Sequence, residues 1–116
     1  MIPTQVHGVL DYVVGAILIL APFLLGFADG TAAQWVPISL GVVAVLYSLL
    51  TNYELGFLKV LPLRVHLILD QTLGAVLLTS PWLFDFSSRI MWPHLLFGMV
   101  SVVVPLLTKP PAGALR

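Results

Sequence analysis

The sequence predicts an all-α membrane protein. Its four transmembrane helices form two tandem helical-hairpin repeats, with pseudo-twofold symmetry along the membrane normal. Three observations lead there. First, 59% of the 116 residues are hydrophobic and only 9% are charged, with a mean hydropathy of +1.07. A soluble domain carries about 25% charge, and so short a chain cannot bury that much apolar surface in its own core. Second, charge-free stretches cover 12–28, 30–53, 71–84 and 90–108. Third, the chain repeats itself. Pro3, Val6, His7, Leu10, Asp11, Gly15, Ala16, Leu18, Pro22, Leu24 and Phe27 recur 59 residues later as Pro62, Val65, His66, Leu69, Asp70, Gly74, Ala75, Leu77, Pro81, Leu83 and Phe86. At an offset of 57, Trp35 matches Trp92, Gly41 matches Gly98, and Leu49-Leu50-Thr51 matches Leu106-Leu107-Thr108. A repeat of this length makes each half one structural unit stacked on its twin.

The elements follow in order. A span needs about 20 residues. Asp11 and Asp70 shorten two of the apolar stretches, but helices that start at Pro3 and Pro62 reach full length, because proline is favoured at a first helical position. The expected helices are about 3–26, 34–52, 62–82 and 91–108. Unit one is 3–52, the linker 53–61, unit two 62–108 and the tail 109–116, all within one membrane domain. The outer loops, Ala28–Ala33 and Asp85–Ile90, are too short to hold an extramembrane domain. Pro22 and Pro81 bend the outer ends of the first and third helices, and in Ser80-Pro81-Trp82 the serine rebonds a freed carbonyl. The tail Lys109-Pro110-Pro111-Ala112-Gly113 cannot continue a helix and is expected to be loose.

Charge sets the expected orientation. Lys59, Arg64, Lys109 and Arg116 fall on one side and Arg89 on the other, so the positive-inside bias places both termini in the cytoplasm, in a cytoplasmic (inner) membrane. Trp35, Trp82 and Trp92 lie toward the opposite face as an interfacial belt. The N-terminus has no Lys or Arg, and Asp11 would interrupt the apolar core of a signal, so no cleaved signal peptide is expected. Net charge is zero and the pI near 6.8, which excludes a basic footprint for nucleic acid. The chain has no cysteine, so thiol catalysis, disulfides and iron–sulfur clusters are excluded and the redox compartment stays unread.

The chemistry-bearing residues are few. Positions four apart share a helix face, so His7, Asp11 and Gly15 form one stripe and His66, Asp70 and Gly74 its twin. Gly41, Ala44, Ser48 and Thr51 form a small-residue stripe, as do Gly98, Ser101, Pro105 and Thr108. Small residues let helices approach closely in lipid, so Gly15, Gly74, Gly41 and Gly98 are expected packing sites. A side chain at Gly15 or Gly74 is expected to wedge the two units apart. Charge is expensive at membrane depth, which singles out His7, Asp11, His66 and Asp70 as a paired polar site. His94 has no twin and is expected to cap the outer end of the fourth helix. No Gly-rich phosphate loop, His-Glu-x-x-His or Gly-x-Ser-x-Gly occurs, so no catalytic residue is assigned. No spacing is diagnostic of metal ligands, so none is assigned.

Val-His-x-x-x-Asp with glycine four residues on occurs twice, and Ser-Pro-Trp follows once, as Ser80-Pro81-Trp82. This pattern in a four-span chain resembles the SPW repeat family of small prokaryotic membrane proteins. The first unit departs from it at Ala21-Pro22-Phe23. The resemblance covers almost the whole chain and implies an integral membrane protein of two tandem units. It implies no reaction and carries over no catalytic residue.

The expected role is a non-enzymatic structural or accessory subunit of a membrane assembly, or a homo-oligomer. Its expected partners are the lipid bilayer and other membrane subunits or itself. In this reading the His/Asp pairs fix how the units dock, and no cofactor is required. An alternative is a small carrier or proton-coupled protein using His7/Asp11 and His66/Asp70. A third is a redox protein binding haem or quinone at His7 and His66, and two histidines with two aspartates also suit a divalent metal.

Overall fold

A computed structural model describes residues 2–109. Among these the order is β1 (Ile2–Pro3), α1 (Thr4–Leu24), α2 (Ala32–Leu50), α3 (Leu63–Leu83), α4 (Trp92–Leu107) and β2 (Thr108–Lys109). The helices make a narrow bundle measuring 45 × 22 × 18 Å. The most extensive contacts join α1 to α2 and α3 to α4, while α2–α3 and α1–α4 contacts connect the two pairs. Two helices, α1 and α2, are each long and apolar enough to cross a membrane.

The helix ends refine the sequence reading. Pro3 and Pro62 precede their helices with extended ψ values of 155° and 143°, so each acts as the residue before the first turn. At its C-terminal end, α1 stops at Leu24 instead of 26, because Gly26 takes a left-handed φ of +79° that a helix cannot contain. α2 starts at Ala32, two residues earlier than expected. The residues just before and after the bundle pair with each other: Ile2 with Thr108 and Pro3 with Lys109, in parallel. Lys109 thus belongs to a paired segment, not to a loose tail; 110–116 lies outside the described residues.

Glycines set the helix spacing within each pair. A Cβ built on Gly41 would lie 2.7 Å from the Gly15 carbonyl oxygen, and one on Gly74 would lie 2.8 Å from that of Gly98. The close approaches therefore run between α1 and α2 and between α3 and α4. A side chain at Gly15 or Gly74 would separate the helices of one hairpin, not the two units from each other as expected. The physical reason is geometric: the small stripes face the partner helix next in sequence.

Two proline-freed carbonyls find side-chain donors. Pro81 has no N–H for the Leu77 carbonyl, and the Ser80 hydroxyl donates to that oxygen at 2.7 Å in a fully buried position. Ala21 occupies the serine's place in α1. Pro37 likewise frees the Ala33 carbonyl in α2, and His94 Nε2 donates to it at 2.9 Å. His94 therefore bridges α4 to the start of α2, and α4 has no side-chain cap. Its ring sits between Phe27 and Phe86, with centroid separations of 5.5 and 4.7 Å. Phe27, Phe86, Ala21 and Ala33 form an apolar core at this end of the bundle. Beyond it Asp29 takes hydrogen bonds from the Thr31 hydroxyl and N–H, which hold its carboxyl below the ordinary range, and it pairs with Arg89 of the α3–α4 loop. Trp35, Trp82 and Trp92 are all exposed near this end.

Candidate functional site

The other end of the bundle is polar inside. One helical turn into α1 and α3, His7 and His66 are almost completely buried. The apolar residues beside them on α1, Val6, Val9 and Val13, point outward, so the i, i+4 stripe of His7 and Asp11 turns inward. The same division holds on α3, where His66 and Asp70 are buried while Val65 and Ile68 are exposed.

The four side chains meet, and they pair across the two hairpins. His7 Nε2 bonds Asp70 Oδ2 at 2.7 Å, and His66 Nε2 approaches Asp11 Oδ2 at 2.9 Å. The contacts within a helix are longer: 3.2 Å for His7–Asp11 and 3.2 Å for His66–Asp70. Each histidine thus sits closest to the aspartate of the other hairpin. The reason is reach: an i, i+4 pair lies stacked along one helix, whereas a facing helix presents its carboxylate end-on to the imidazole. The two rings are edge-to-face, 5.4 Å between centroids.

A second ring of hydroxyls surrounds this centre. His7 Nδ1 lies 2.6 Å from Thr108 Oγ1, and His66 Nδ1 lies 2.7 Å from Thr51 Oγ1. Each threonine hydroxyl donates to the carbonyl four residues back, Thr108 to Val104 and Thr51 to Tyr47, both at 2.7 Å. With its one proton committed, each threonine can only accept from the imidazole. Both histidines therefore carry a proton on Nδ1 and turn Nε2 to the carboxylates. The Tyr47 hydroxyl donates to Asp70, and the Tyr53 hydroxyl donates to Asp11 at 2.7 Å. Burial and the nearby Asp11 charge push the Tyr53 phenol up, so it stays a donor.

The linker closes this end. Tyr12 donates to the Leu55 carbonyl at 2.7 Å, and Thr4 donates to the Glu54 carboxylate at 2.8 Å. Gly56 presses so closely on the Thr51 carbonyl that no Cβ fits there. On the outward side of the carboxylates a cavity of about 30 Å³ is lined by Asp11, Asp70, Tyr47, Ser101 and apolar residues of all four helices. Arg64 stays exposed at the start of α3.

Thr51 and Thr108 carried a visible signal, because they end the matched Leu-Leu-Thr segments. Tyr47 and Tyr53 carried none. Val104 and Pro110 stand at the corresponding places of the second half, so comparison of the halves passes over both tyrosines.

An all-helical bundle of this apolar composition, with two helices long and apolar enough to cross a membrane, fits a small membrane protein. The chain belongs to the SPW repeat domain family, which matches residues 5–108. Comparison with curated proteins and with solved structures finds no match.

Proposed function

We propose that this chain crosses the cytoplasmic membrane four times as two tandem hairpins, related by a pseudo-twofold axis along the membrane normal, and serves as a non-enzymatic structural or accessory subunit. The observation that carries this reading is the crossed pairing. His7 with Asp70 and His66 with Asp11 tie α1 to α3, two helices that belong to different hairpins. Charges placed where they fasten the hairpins together have a structural task already. The bundle length of 45 Å suits a bilayer with its headgroups, about 40–45 Å thick. The third helix is 21 residues long and the fourth 16, extended by β2. Large exposed apolar side chains on all four helices face outward, where lipid or another subunit covers them.

Orientation is tested by single cysteines at Lys59 and Ser88. In intact cells a membrane-impermeant thiol reagent is expected to label position 88 and spare 59, since the inner side carries Lys59 and Arg64. Labelling of 59 alone would reverse the topology.

The accessory role is tested by two measurements on the same preparation. Solubilised in mild detergent, the protein is expected to run at a mass above one chain, as a homo-oligomer or with a bound subunit. Reconstituted alone, it is expected to leave the proton permeability of vesicles unchanged. A proton flux that disappears in His66→Gln would replace this reading with the carrier one.

A further inference from the structure

The paired site has the make-up of a metal centre as well as that of a clasp. His7 Nε2, His66 Nε2 and one oxygen each of Asp11 and Asp70 all lie within 4.8 Å of one another. The nearest nitrogen–oxygen separations run from 2.7 to 3.2 Å, with Asp11 meeting His7 through Oδ1 and His66 through Oδ2 while Asp70 meets both through Oδ2. A tetrahedral ion with bonds of about 2.0–2.1 Å needs ligand atoms roughly 3.3 Å apart, so the short nitrogen–oxygen pairs would open slightly and the wider pairs, which reach up to 4.8 Å, would close around it. Two neutral imidazoles, two carboxylates and one divalent ion sum to zero charge, as a buried site in an apolar bundle requires.

The surrounding hydroxyls supply an independent observation. Because each threonine has given its proton to a backbone carbonyl, Nδ1 of both histidines is fixed as a donor. Nε2 then faces carboxylates only 2.7–3.2 Å away with either a proton or a cation between them. Metal-binding histidines are oriented in this way, by a partner on the nitrogen that does not bind the ion. Here all four prospective ligands have such a partner: Thr108 for His7, Thr51 for His66, Tyr53 for Asp11 and Tyr47 for Asp70. A clasp made of ion pairs alone does not need the tautomer of both imidazoles fixed.

We propose that His7, Asp11, His66 and Asp70 bind one divalent transition-metal ion of the zinc type between the two hairpins. The mixed nitrogen and oxygen set favours such an ion over calcium or magnesium, which take oxygen. The proposal rests on the reading that this cluster joins the hairpins, and makes the joint metal-dependent. The sequence admits a divalent metal at these residues but shows no diagnostic ligand spacing, because the ligands come together only in the fold.

The test uses the full chain, purified in detergent, stripped with a chelator and titrated with Co²⁺ alone. One Co²⁺ per chain is expected, with the intense visible bands of four-coordinate cobalt, and Zn²⁺ should displace it. Thr108→Val keeps every ligand atom but removes the support of His7, and should weaken binding about 10–100-fold. The double variant His7→Gln with Asp70→Asn keeps the His66–Asp11 contact and should lose the bands. Folded wild type that takes up no Co²⁺, or bands that persist in the double variant, would overturn the metal site. Resistance of the metal-free chain to unfolding reads the clasp separately. If the crossed-pair variants bind no cobalt yet are as stable as wild type without metal, the clasp fails and the metal site stands.

Discussion

Asp70→Ala is expected to lower the stability of the folded chain by roughly 3–5 kcal/mol, the usual consequence of removing one partner from a buried ion pair. Asp70 accepts from His7 at 2.7 Å and from Tyr47, and it also lies 3.2 Å from His66. Its loss leaves a buried imidazole and a buried phenol facing a void. The crossed geometry makes a sharper statement. His7→Gln with Asp70→Asn removes one complete crossed pair and leaves His66 with Asp11 at 2.9 Å. His66→Gln with Asp70→Asn instead leaves His7 and Asp11, a pair 3.2 Å apart along one helix. The first double variant should be the more stable of the two, and both should lose less than the sum of their single changes. Titration with denaturing detergent, followed by helix content, measures all of these. Equal midpoints for wild type and Asp70→Ala would remove the structural role from the cluster.

Gly98→Leu is expected to do comparable damage for a different reason. A Cβ at Gly98 would meet the Leu78 nitrogen at 2.8 Å, the Leu78 Cα at 2.9 Å and the Gly74 carbonyl oxygen at 3.0 Å. All three are backbone atoms, so no rotamer change relieves them, and α4 must move away from α3. Overpacking usually costs about 1–3 kcal/mol, and a leucine against fixed backbone belongs at or beyond the upper end. Gly15→Leu should be milder, since its nearest obstacle is the Val45 side chain at 2.7 Å, which can turn. Leu20→Phe, on the exposed face of α1, should stay within about 0.5 kcal/mol of wild type. Thermal unfolding in detergent ranks the three, and no difference between Gly98→Leu and Leu20→Phe would mean that the helices do not touch at Gly98.

The sequence by itself determined the all-helical class, the approximate helices and the membership in the SPW repeat domain family. These follow from one-dimensional properties: apolar run length, charge placement and the match between halves. It also singled out His7, Asp11, His66 and Asp70, since a charge inside apolar sequence is conspicuous wherever it folds. What it could not decide was which of these four touches which. Residues four apart on a helix are always neighbours, so the pattern along the chain favours His7 with Asp11, while contact across the bundle depends on how α1 and α3 are rotated about their axes. That rotation is set by packing elsewhere, including the Gly15–Gly41 and Gly74–Gly98 approaches within each hairpin. Tertiary structure also decided the fate of His94, which satisfies the carbonyl freed by Pro37 two helices away. It alone brought in Tyr47 of the first hairpin and Tyr53 of the linker, whose hydroxyls complete the site. Local chemistry is written along the chain; a hydrogen bond between helices exists only once their distance and rotation are fixed.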